Sequence, residues 1–349
     1  KLEIWIKLPY DVFKDAYVDT GIYVFYNEKL NSYDSRVLEF GAREKFDTSL
    51  IEERNLLLLP SKSWMGLDSL KVVLNPFFYT LQPKIVKDTI TLDDISDSIR
   101  GILPNSDDVS DDYIDGYKKY FTGYLGRYQK SEEFSWVHYS DNLREKPKDY
   151  SFFQDERIII RRLINRQFRI MASLVSDEFV NKKDIYNLKI TNHNYEIHYL
   201  LALINSKLFS FMKTKGSTTA SKDDFSQLTL SDIRTIPVKK ITIEVQEKFK
   251  KLVVSLLDLN KELNDYTNKF IKYFSVSTQI EKLTRKLQNW HELDFADFIK
   301  ELNKAIKKAG GTPLTKKDEF EWLELFEGNK KKAQELQTQI TQTEKTIDT

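Results

Sequence analysis

The chain has 349 residues, and its 54 basic and 53 acidic side chains give a formal net charge of +1. This balance argues against a globally basic nucleic-acid binder, so any DNA-binding surface must be local. The absence of cysteine excludes disulfides and thiolate metal sites, and four histidines are too few to favour a zinc cage. No run approaches the ~20 apolar residues of a membrane span.

The first 35 residues predict two strands. Leu2, Ile4 and Ile6 alternate with residues of the opposite face, which is the pattern of a half-buried strand. Residues 20–26 are rich in β-branched and aromatic side chains and predict a second strand. Two strands are too small for a domain, and the chain begins with lysine rather than methionine. We therefore expect residues 1–35 to be the trailing edge of a sheet whose other strands lie upstream in a longer protein.

Residues 36–240 combine short strand signals with loops. Short buried strands are predicted at 54–59 and 70–74, and residues 91–95 resemble the capped start of a helix. Residues 105–115 carry five aspartates, which could bind calcium or stay solvated. Because they lack the Asp-x-Asp-x-Asp-Gly spacing and its terminal glutamate, a solvated loop is the favoured interpretation.

Residues 117–130 interleave four tyrosines with cations and glycines. Aromatic side chains between lysines and arginines can stack on bases and hold phosphates. An ordinary amphipathic segment that buries its tyrosines is the alternative, and on this segment alone it is favoured. The candidate DNA-binding residues here are Lys118, Lys119, Tyr124, Arg127, Tyr128 and Lys130.

Residues 156–169 contain five arginines and one acidic residue. The apolar run 158–160 predicts a central strand, and we expect the arginines at both of its ends to emerge at strand edges and in the following turn. Arginine suits phosphates and guanine edges, although a strand whose arginines pair with the acidic loop explains the pattern equally well. The candidates for DNA contact are Arg161, Arg162 and Arg166.

An apolar helix is predicted at 195–211, followed by a polar, basic segment at 213–222 without apolar anchors. Such a segment is either a flexible tip or a loop that becomes ordered on phosphates. Its candidate residues are Lys213, Lys215, Ser217, Thr218, Thr219 and Lys222.

Residues 241–349 are predicted to be mostly helical. Apolar residues recur with a helical period from 245 to 272, Gly310 and Gly311 end a second helix, and Thr315 opens the last one. The spacing near the C-terminus is typical of a packed helix pair or a short coiled coil. This part of the chain is expected to be a spacer or a docking module.

Three sets of residues resemble known families. Residues 6–24 resemble the late strands of adenine-specific DNA methyltransferases. Residues 157–169, then 200–211 with Asn205-Ser206-Lys207-Leu208, then 228–237 are similar to the TaqI-like C-terminal specificity domain. Residues 287–293 and 321–323 resemble the C-terminal helices of single-chain restriction–modification enzymes.

The resemblance implies a methyl donor, S-adenosylmethionine, but its cofactor loop and Asn-Pro-Pro-Tyr motif would precede the late strands. Residues 75–79 echo that motif, yet they lack the second proline and follow the late strands, so we interpret the echo as coincidence. No phosphate-binding loop, serine nucleophile motif or nuclease carboxylate pair is found. The chain is expected to hold no catalytic residue, metal or cofactor and to be inactive alone.

The resemblance therefore implies an α+β protein: trailing strands of a methyltransferase-like sheet (1–35), a mixed α/β target-recognition domain (36–240) and a helical module (241–349). Its function would be recognition of double-stranded DNA for an adenine-specific methyltransferase of a restriction–modification or phage-defence system in the cytoplasm. The methyltransferase domain would be upstream in the same parent chain or a separate subunit. The alternative is a protein-interaction module whose arginines form internal ion pairs, which the near-neutral charge favours slightly.

Overall fold

A computed structural model describes residues 1–9, 12–13, 18, 20–41, 44–52, 55–65, 73–146, 149–164, 167–216 and 226–349. The strands are β1 (Leu2–Lys7), β2 (Gly21–Phe25), β3 (Asp34–Glu39), β4 (Leu57–Pro60), β5 (Thr89–Thr91), β6 (Ser96–Arg100), β7 (Val109–Ser110), β8 (Lys118–Phe121), β9 (Leu125–Gly126), β10 (Gln129–Lys130), β11 (Phe134–Val137), β12 (Arg157–Arg161), β13 (Ala172–Val175), β14 (Val180–Asn181), β15 (Ile185–Ile190) and β16 (Pro237–Lys239). The helices are α1 (Pro76–Val86), α2 (Ile197–Asn205), α3 (Lys207–Gly216), α4 (Leu230–Arg234), α5 (Ile243–Thr278), α6 (Arg285–Gln288), α7 (Phe295–Lys308) and α8 (Lys316–Asp348).

The α+β fold class is confirmed, and the chain divides into two compact units, Lys1–Glu247 and Lys248–Thr349. Strands belong to the first unit, and the second unit is built from helices. Among the described residues, no helix is both long enough and apolar enough to cross a membrane. The limits of the three sequence-based domains stay predictions.

The first unit begins with a four-stranded sheet in the order β2-β1-β3-β4. Strand β1 pairs antiparallel with β2 and parallel with β3, which confirms the two strands predicted at the start of the chain. Val37, Leu59 and Leu74 form the core of this sheet, with Trp5 packed against them. Strand β2 lies at one end of the described order, where its side chains remain exposed.

The centre of the first unit is a sheet in the order β13-β12-β15-β6. Ile158, Ile159 and Ile160 of β12 are fully buried between their neighbours, so the predicted central strand is confirmed. A second sheet, β14-β8-β11-β7, contributes Phe121 to a core that it shares with Ile159. Because strand β12 is buried on both faces, its isoleucines follow one another without the alternation of apolar and polar residues that is typical of a half-exposed strand.

The prediction that a helix starts at residues 91–95 is wrong. Thr91 and Asp94 form a capping box around a single 3₁₀ turn, and the chain then enters β6, which pairs with β15. Gly101 follows this strand at a point where its backbone lies close to the backbone of Asn181. A side chain is not tolerated there, because a Cβ would collide with the carbonyl oxygen of Asn181. Pairing with a buried strand outweighs the local helix signal.

The apolar helix predicted at 195–211 is present but divided at Ser206 into α2 and α3. Ser206 takes an extended backbone conformation there, and just before it the buried amide group of Asn205 accepts a hydrogen bond from the N–H of Ala172 and donates one to its carbonyl oxygen, both at 2.9 Å. This side chain completes the hydrogen bonding of strand β13, which accounts for an asparagine inside an otherwise apolar helix.

The second unit has an aromatic core. The rings of Phe270, Trp290, Phe298 and Phe326 contact one another, with centroids 4.4 Å apart for Phe270 and Trp290 and 4.7 Å for Phe298 and Phe326. Thr315 caps α8 with a capping box, as predicted for the residue that opens the last helix. The predicted helical character of this part of the chain is confirmed.

Candidate nucleic-acid interface

The tyrosine-rich segment 117–130 folds as β8 followed by the tight hairpin β9–β10. The hairpin turn holds Tyr128 at a φ of +58°, and its N–H donates to the carbonyl oxygen of Ala172 at 2.9 Å. This geometry turns the Tyr128 ring into the core, where it cannot stack on a base. Tyr124 is 50% exposed, so among the two predicted tyrosines only its ring faces solvent.

Tyr124 and Arg161 come together in the structure. Arg161 ends strand β12, and its guanidinium carbon lies 5.9 Å from the centroid of the Tyr124 ring. Both side chains also contact Met171, whose Sδ lies 3.7 Å from Arg161 Nη1 and 3.9 Å from Tyr124 Oη. A planar cation beside an exposed aromatic ring can hold a phosphate and stack on a base at the same place.

A small cavity of about 180 Å³ adjoins this pair and is lined also by Lys182 and Asp184. Arg162 extends the cluster, because its Nη1 lies 3.3 Å from Asp184 Oδ1 and its Nη2 donates to Gln227 Oε1 at 2.5 Å. We name the set Tyr124, Arg161, Arg162, Lys182 and Asp184 the Tyr124–Arg161 surface. Lys182 and Asp184 were not among the residues predicted from the sequence. The one feature that could have indicated them is their position in a turn that follows a short strand.

Lys119 and Lys130 share one aromatic partner. Their ammonium groups lie 3.9 and 5.2 Å from the ring centroid of Phe134, and Lys130 also pairs with Glu132 at 2.6 Å. Lys118 pairs instead with Glu178 at 3.7 Å. Arg127 is half-buried in the hairpin turn. Each of these lysines is therefore held by an aromatic ring or a carboxylate, and the side chain of Lys130 is only 11% exposed.

The two described lysines of the predicted basic loop belong to helix α3. Lys213 donates to Thr235 Oγ1 at 2.8 Å, and burial lowers the pKa of its amine to about 8 although Asp232 acts in the opposite direction. Lys215 binds Glu39 at 3.1 Å. The other candidates of this region, together with Arg166, lie outside the described residues: Arg166, Ser217, Thr218, Thr219 and Lys222.

Arg157 corrects the expectation that arginines emerge at both ends of the central strand. It is fully buried, and Nη1 donates to the carbonyl oxygens of Asp155 and Asp177, both at 2.9 Å. Its guanidinium also bonds the Phe179 carbonyl at 3.2 Å and lies 4.6 Å from that residue's ring centroid. Burial lowers its pKa to about 10, against the opposing effect of nearby carboxylates. Arg157 therefore ties loops to the sheet instead of contacting a ligand.

The Asn-Pro sequence at 75–76 also has a structural role. The side chain of Asn75 accepts a hydrogen bond from the N–H of Phe77 at 3.0 Å and caps helix α1, with Pro76 in its first turn. Asparagine at the cap and proline at the first helical position are both preferred there. The echo of a catalytic motif is thus accounted for by helix capping.

Carboxylates close to Lys118, Lys130 and Arg162 do not prevent these cations from binding a polyanion. The carboxylate of each pair, Glu178, Glu132 or Asp184, is well exposed, and ion pairs at the surface contribute only about 0–1 kcal/mol each. A phosphate offers the same cation a competing anionic partner, and binding to DNA also releases condensed counterions. Arg161 and Lys119 contact aromatic rings, and among the described residues no carboxylate lies within ion-pair distance of either. Either cation can therefore bind a phosphate without first leaving a carboxylate.

Comparison with known proteins identifies this region. Residues 118–238 match the family model of the TaqI-like C-terminal specificity domain, and residues 242–349 match a domain family of unknown function, DUF8810. The chain is 33% identical over 285 residues to the putative type II restriction enzyme and methyltransferase RM.MjaORFECS2P of Methanocaldococcus jannaschii, a match that covers 77% of this chain and 23% of that protein. The resemblance to the specificity region of restriction–modification enzymes is confirmed.

Two solved structures are more distantly similar. The type IIL restriction–modification enzyme MmeI in complex with DNA gives a TM-score of 0.45 at 8% identity, over 96% of this chain and 46% of that one. The S subunit of a type I restriction–modification system from M. genitalium gives 0.33 at 13% identity, over 60% and 49%. The chain thus spans about a quarter of its curated relative and about half of each solved chain.

Proposed function

We propose that this chain recognises a specific sequence in double-stranded DNA as the specificity part of an adenine-specific, S-adenosylmethionine-dependent DNA methyltransferase. The match of residues 118–238 to a specificity-domain family carries the proposal. The parent enzyme would belong to a restriction–modification system, act in phage defence and work in the cytoplasm, where its DNA substrate is. The methyl donor would be bound by the catalytic domain, and this chain would select the site.

The Tyr124–Arg161 surface supplies the chemistry for contact with DNA. Arg161 lies beside the exposed Tyr124 ring, Lys182 lines the same cavity, and Arg162 is bound to Asp184 in the wall of that cavity. Cations of this kind neutralise phosphates and release counterions, which provides affinity without sequence preference. Guanidinium groups can also form paired hydrogen bonds to guanine in the major groove, which provides sequence preference. Asp184 holds Arg162 in place until a phosphate or a base edge replaces it.

Strand β2 supports the proposal that a methyltransferase domain is the partner. Ile22, Tyr23, Val24 and Phe25 are all exposed on a strand that lies at one end of its described sheet. An edge strand with apolar side chains on both faces readily pairs with another strand. We propose that a methyltransferase sheet covers this strand, either from the same parent chain or from a separate subunit.

Selection from a library of random duplexes tests the recognition proposal. The chain is immobilised, bound duplexes are recovered over several rounds at constant salt, and the pool is sequenced. We expect one short motif to be enriched, and a variant carrying Tyr124→Ala and Arg161→Ala to lose that enrichment. Phe77→Ala removes an exposed ring from helix α1 and should leave the motif intact. Retention of duplexes without any enriched motif would contradict the proposal.

The second candidate function is docking to a partner protein without binding DNA. The observation that favours it is that Lys118, Lys130 and Arg162 form ion pairs within the chain. In that case the cations stabilise the fold, and the exposed strand β2 is the functional surface. The same selection distinguishes the two functions, because a docking module retains no duplex above background at low salt.

A further inference from the structure

A cavity in the first unit adjoins the side chain of Lys213 and has no assigned role. Its volume is about 280 Å³, and helices α1, α3 and α4 and strand β16 line it. Apolar side chains form much of the wall: Phe78, Val86, Met212 and Pro237. Gln82 and Val86 are exposed, so the cavity opens to solvent. It shares no lining residue with the cavity at the Tyr124–Arg161 surface, and the recognition proposal makes no use of it.

The amine of Lys213 is held by a hydroxyl group instead of a carboxylate. Among the described residues it has no ion pair, and its one hydrogen bond is to Thr235 Oγ1, at 2.8 Å. That hydroxyl donates its own proton to the carbonyl oxygen of Ser231 at 2.8 Å, so it faces Lys213 as an acceptor. A lysine amine has an N–H for such an acceptor in both its charged and its neutral form. The contact therefore does not require the charged form.

Burial dominates the electrostatics of this amine. Asp232 of helix α4 is the other charged side chain in the described lining, to which helix α1 and strand β16 contribute uncharged side chains only. Burial lowers the pKa of Lys213 to about 8, although Asp232 acts in the opposite direction. At pH 7.5 roughly a quarter of these amines are therefore neutral, against about one in a thousand for an ordinary lysine. The neutral amine is the nucleophilic form.

We propose that Lys213 is an acylation site and that the cavity accommodates the acyl group. The donor is an activated small carboxylic acid, either an acyl phosphate or an acyl thioester, since both present the same electrophilic carbonyl group. The neutral amine attacks the carbonyl carbon and forms a C–N bond. The bond from that carbon to the phosphate oxygen or the thiol sulfur breaks, the leaving group takes the electron pair, and the amine releases one proton to water. The products are an amide on Lys213 and free phosphate or thiolate, so the step needs no oxidant or reductant.

The amide product suits the surroundings of Lys213 better than the amine does. Its N–H can keep the hydrogen bond to Thr235 Oγ1, and the side-chain amide of Gln82 offers a donor for the acyl oxygen. The apolar wall of the cavity suits the alkyl end of the acyl group. Acylation also removes a charge whose burial is unfavourable. The modified chain should therefore be more stable than the unmodified chain at neutral pH.

Rates of acetylation at individual lysines test the proposal on the full chain. The chain is incubated at pH 7.5 with acetyl phosphate in one arm and with acetyl-coenzyme A in the other. Mass spectrometry of peptides follows the acetylation of each lysine while the overall extent is still low. Lys307 and Lys308 are the reference lysines, because both are exposed at the end of helix α7. The series is repeated at several pH values from about 6.5 to 9.5.

We expect Lys213 to be acetylated roughly 10-fold faster or more than the reference lysines in at least one arm. The larger neutral fraction should outweigh the lower nucleophilicity that accompanies a lower pKa, as it does for thiols. The rate at Lys213 should level off above about pH 8, where most of the amine is already neutral. Modification in one arm alone supports the proposal and identifies the class of donor. A rate at Lys213 that exceeds that of the reference lysines in neither arm would overturn the proposal.

Urea denaturation at pH 7 tests whether the cavity accommodates the acyl group. The wild type and Lys213→Arg are treated with the donor in parallel, so that both carry the same modifications at other lysines. Treatment should raise the urea midpoint of the wild type relative to that of Lys213→Arg. Lys213→Gln, which carries a neutral amide, is a second control, and circular dichroism verifies that each variant is folded. A change in the wild type that equals or falls below the change in the variants would overturn the proposal. Neither measurement involves DNA, so the result is independent of the recognition proposal.

Discussion

The arginines of residues 156–169 look equivalent in the sequence, but the fold gives them different roles. Arg157 is at the buried end of strand β12, where four hydrogen bonds to main-chain and side-chain oxygens satisfy its guanidinium. Arg161 is at the opposite end of the same five-residue strand, next to an exposed tyrosine. Strand position, which the sequence shows only roughly, separates a structural arginine from a candidate ligand-binding one.

Replacement of Arg157 is expected to destabilise the protein. Arg157→Met keeps much of the side-chain volume but leaves the buried oxygens of the Phe179 carbonyl and the Asn187 amide, and two partly buried carbonyl oxygens, without their donor. The free energy of unfolding should therefore fall by about 3 kcal/mol or more. Urea denaturation followed by circular dichroism measures this change. Arg161→Met, on the same strand, is the matched control and should cost less than about 1 kcal/mol. Equal losses in the two variants would contradict the structural role of Arg157.

Lys213 predicts a pH dependence of stability. Its pKa falls from 10.5 to about 8 because of burial. Between these values the unfolded chain binds more protons than the folded one, so the contribution of Lys213 to stability rises with pH in that window. Below about 8 the cost of burying the charge is fully present. Lys213→Met removes that cost, so the variant should exceed the wild type in stability near pH 7, and its advantage should shrink as pH rises from about 8 to 10.5. Denaturation series across this range test the prediction, and a constant difference would contradict it.

The exposed and buried tyrosines of residues 117–130 mark a limit of sequence reasoning. The sequence shows that the segment is aromatic and cationic, but the β9–β10 hairpin decides which rings are buried. Tyr128 occupies a left-handed turn position that sequence patterns assign to glycine or asparagine. Its burial follows from a backbone hydrogen bond to strand β13, more than forty residues away. Only tertiary structure supplies that information.

At the level of elements, long periodic segments were predictable and short ones were not. The helices of residues 243–348 follow a helical period and carry local start signals such as Thr315. The residues at 91–95 carry an equally good start signal, yet only one turn forms because the next five residues pair with β15. At the break between α2 and α3, Asn205 bonds strand β13, which is more than thirty residues away in the sequence. Contacts with distant segments of this kind are not visible in a local sequence pattern.

The exposed edge strand β2 predicts self-association of the isolated chain. Phe25 is 67% exposed, and its ring stacks on Tyr23 with centroids 6.3 Å apart, which gives a continuous apolar row. Phe25→Lys places a charge on this edge, a common device against strand pairing, and should lower the oligomeric fraction in sedimentation velocity. Phe320→Lys changes a phenylalanine that is 76% exposed on helix α8 and is the control. An equal effect of both substitutions would indicate general solubility and contradict a specific role for β2.

At the level of the whole molecule, charge balance and local function coexist. The chain is nearly neutral, and many of its candidate cations lie against carboxylates, as a balanced composition requires. Composition therefore argues against a globally basic binder, but it cannot locate the cations that contact aromatic rings, such as Arg161 and Lys119. The resemblance to specificity domains is confirmed for residues 118–238, and within this region the structure brings Tyr124 and Arg161 together.

The salt dependence of DNA binding tests the central proposal most directly. Affinity for a selected duplex is measured by fluorescence anisotropy at several salt concentrations for the wild type, for Arg161→Gln with Arg162→Gln, and for Lys307→Gln with Lys308→Gln. The last pair removes the same charge from the exposed end of helix α7. If Arg161 and Arg162 bind phosphates, their loss should reduce the slope of log affinity against log salt by roughly 0.9 for each contact, while the control pair keeps the wild-type slope. An unchanged slope in the Arg161 and Arg162 variant would show that these arginines do not lie on DNA.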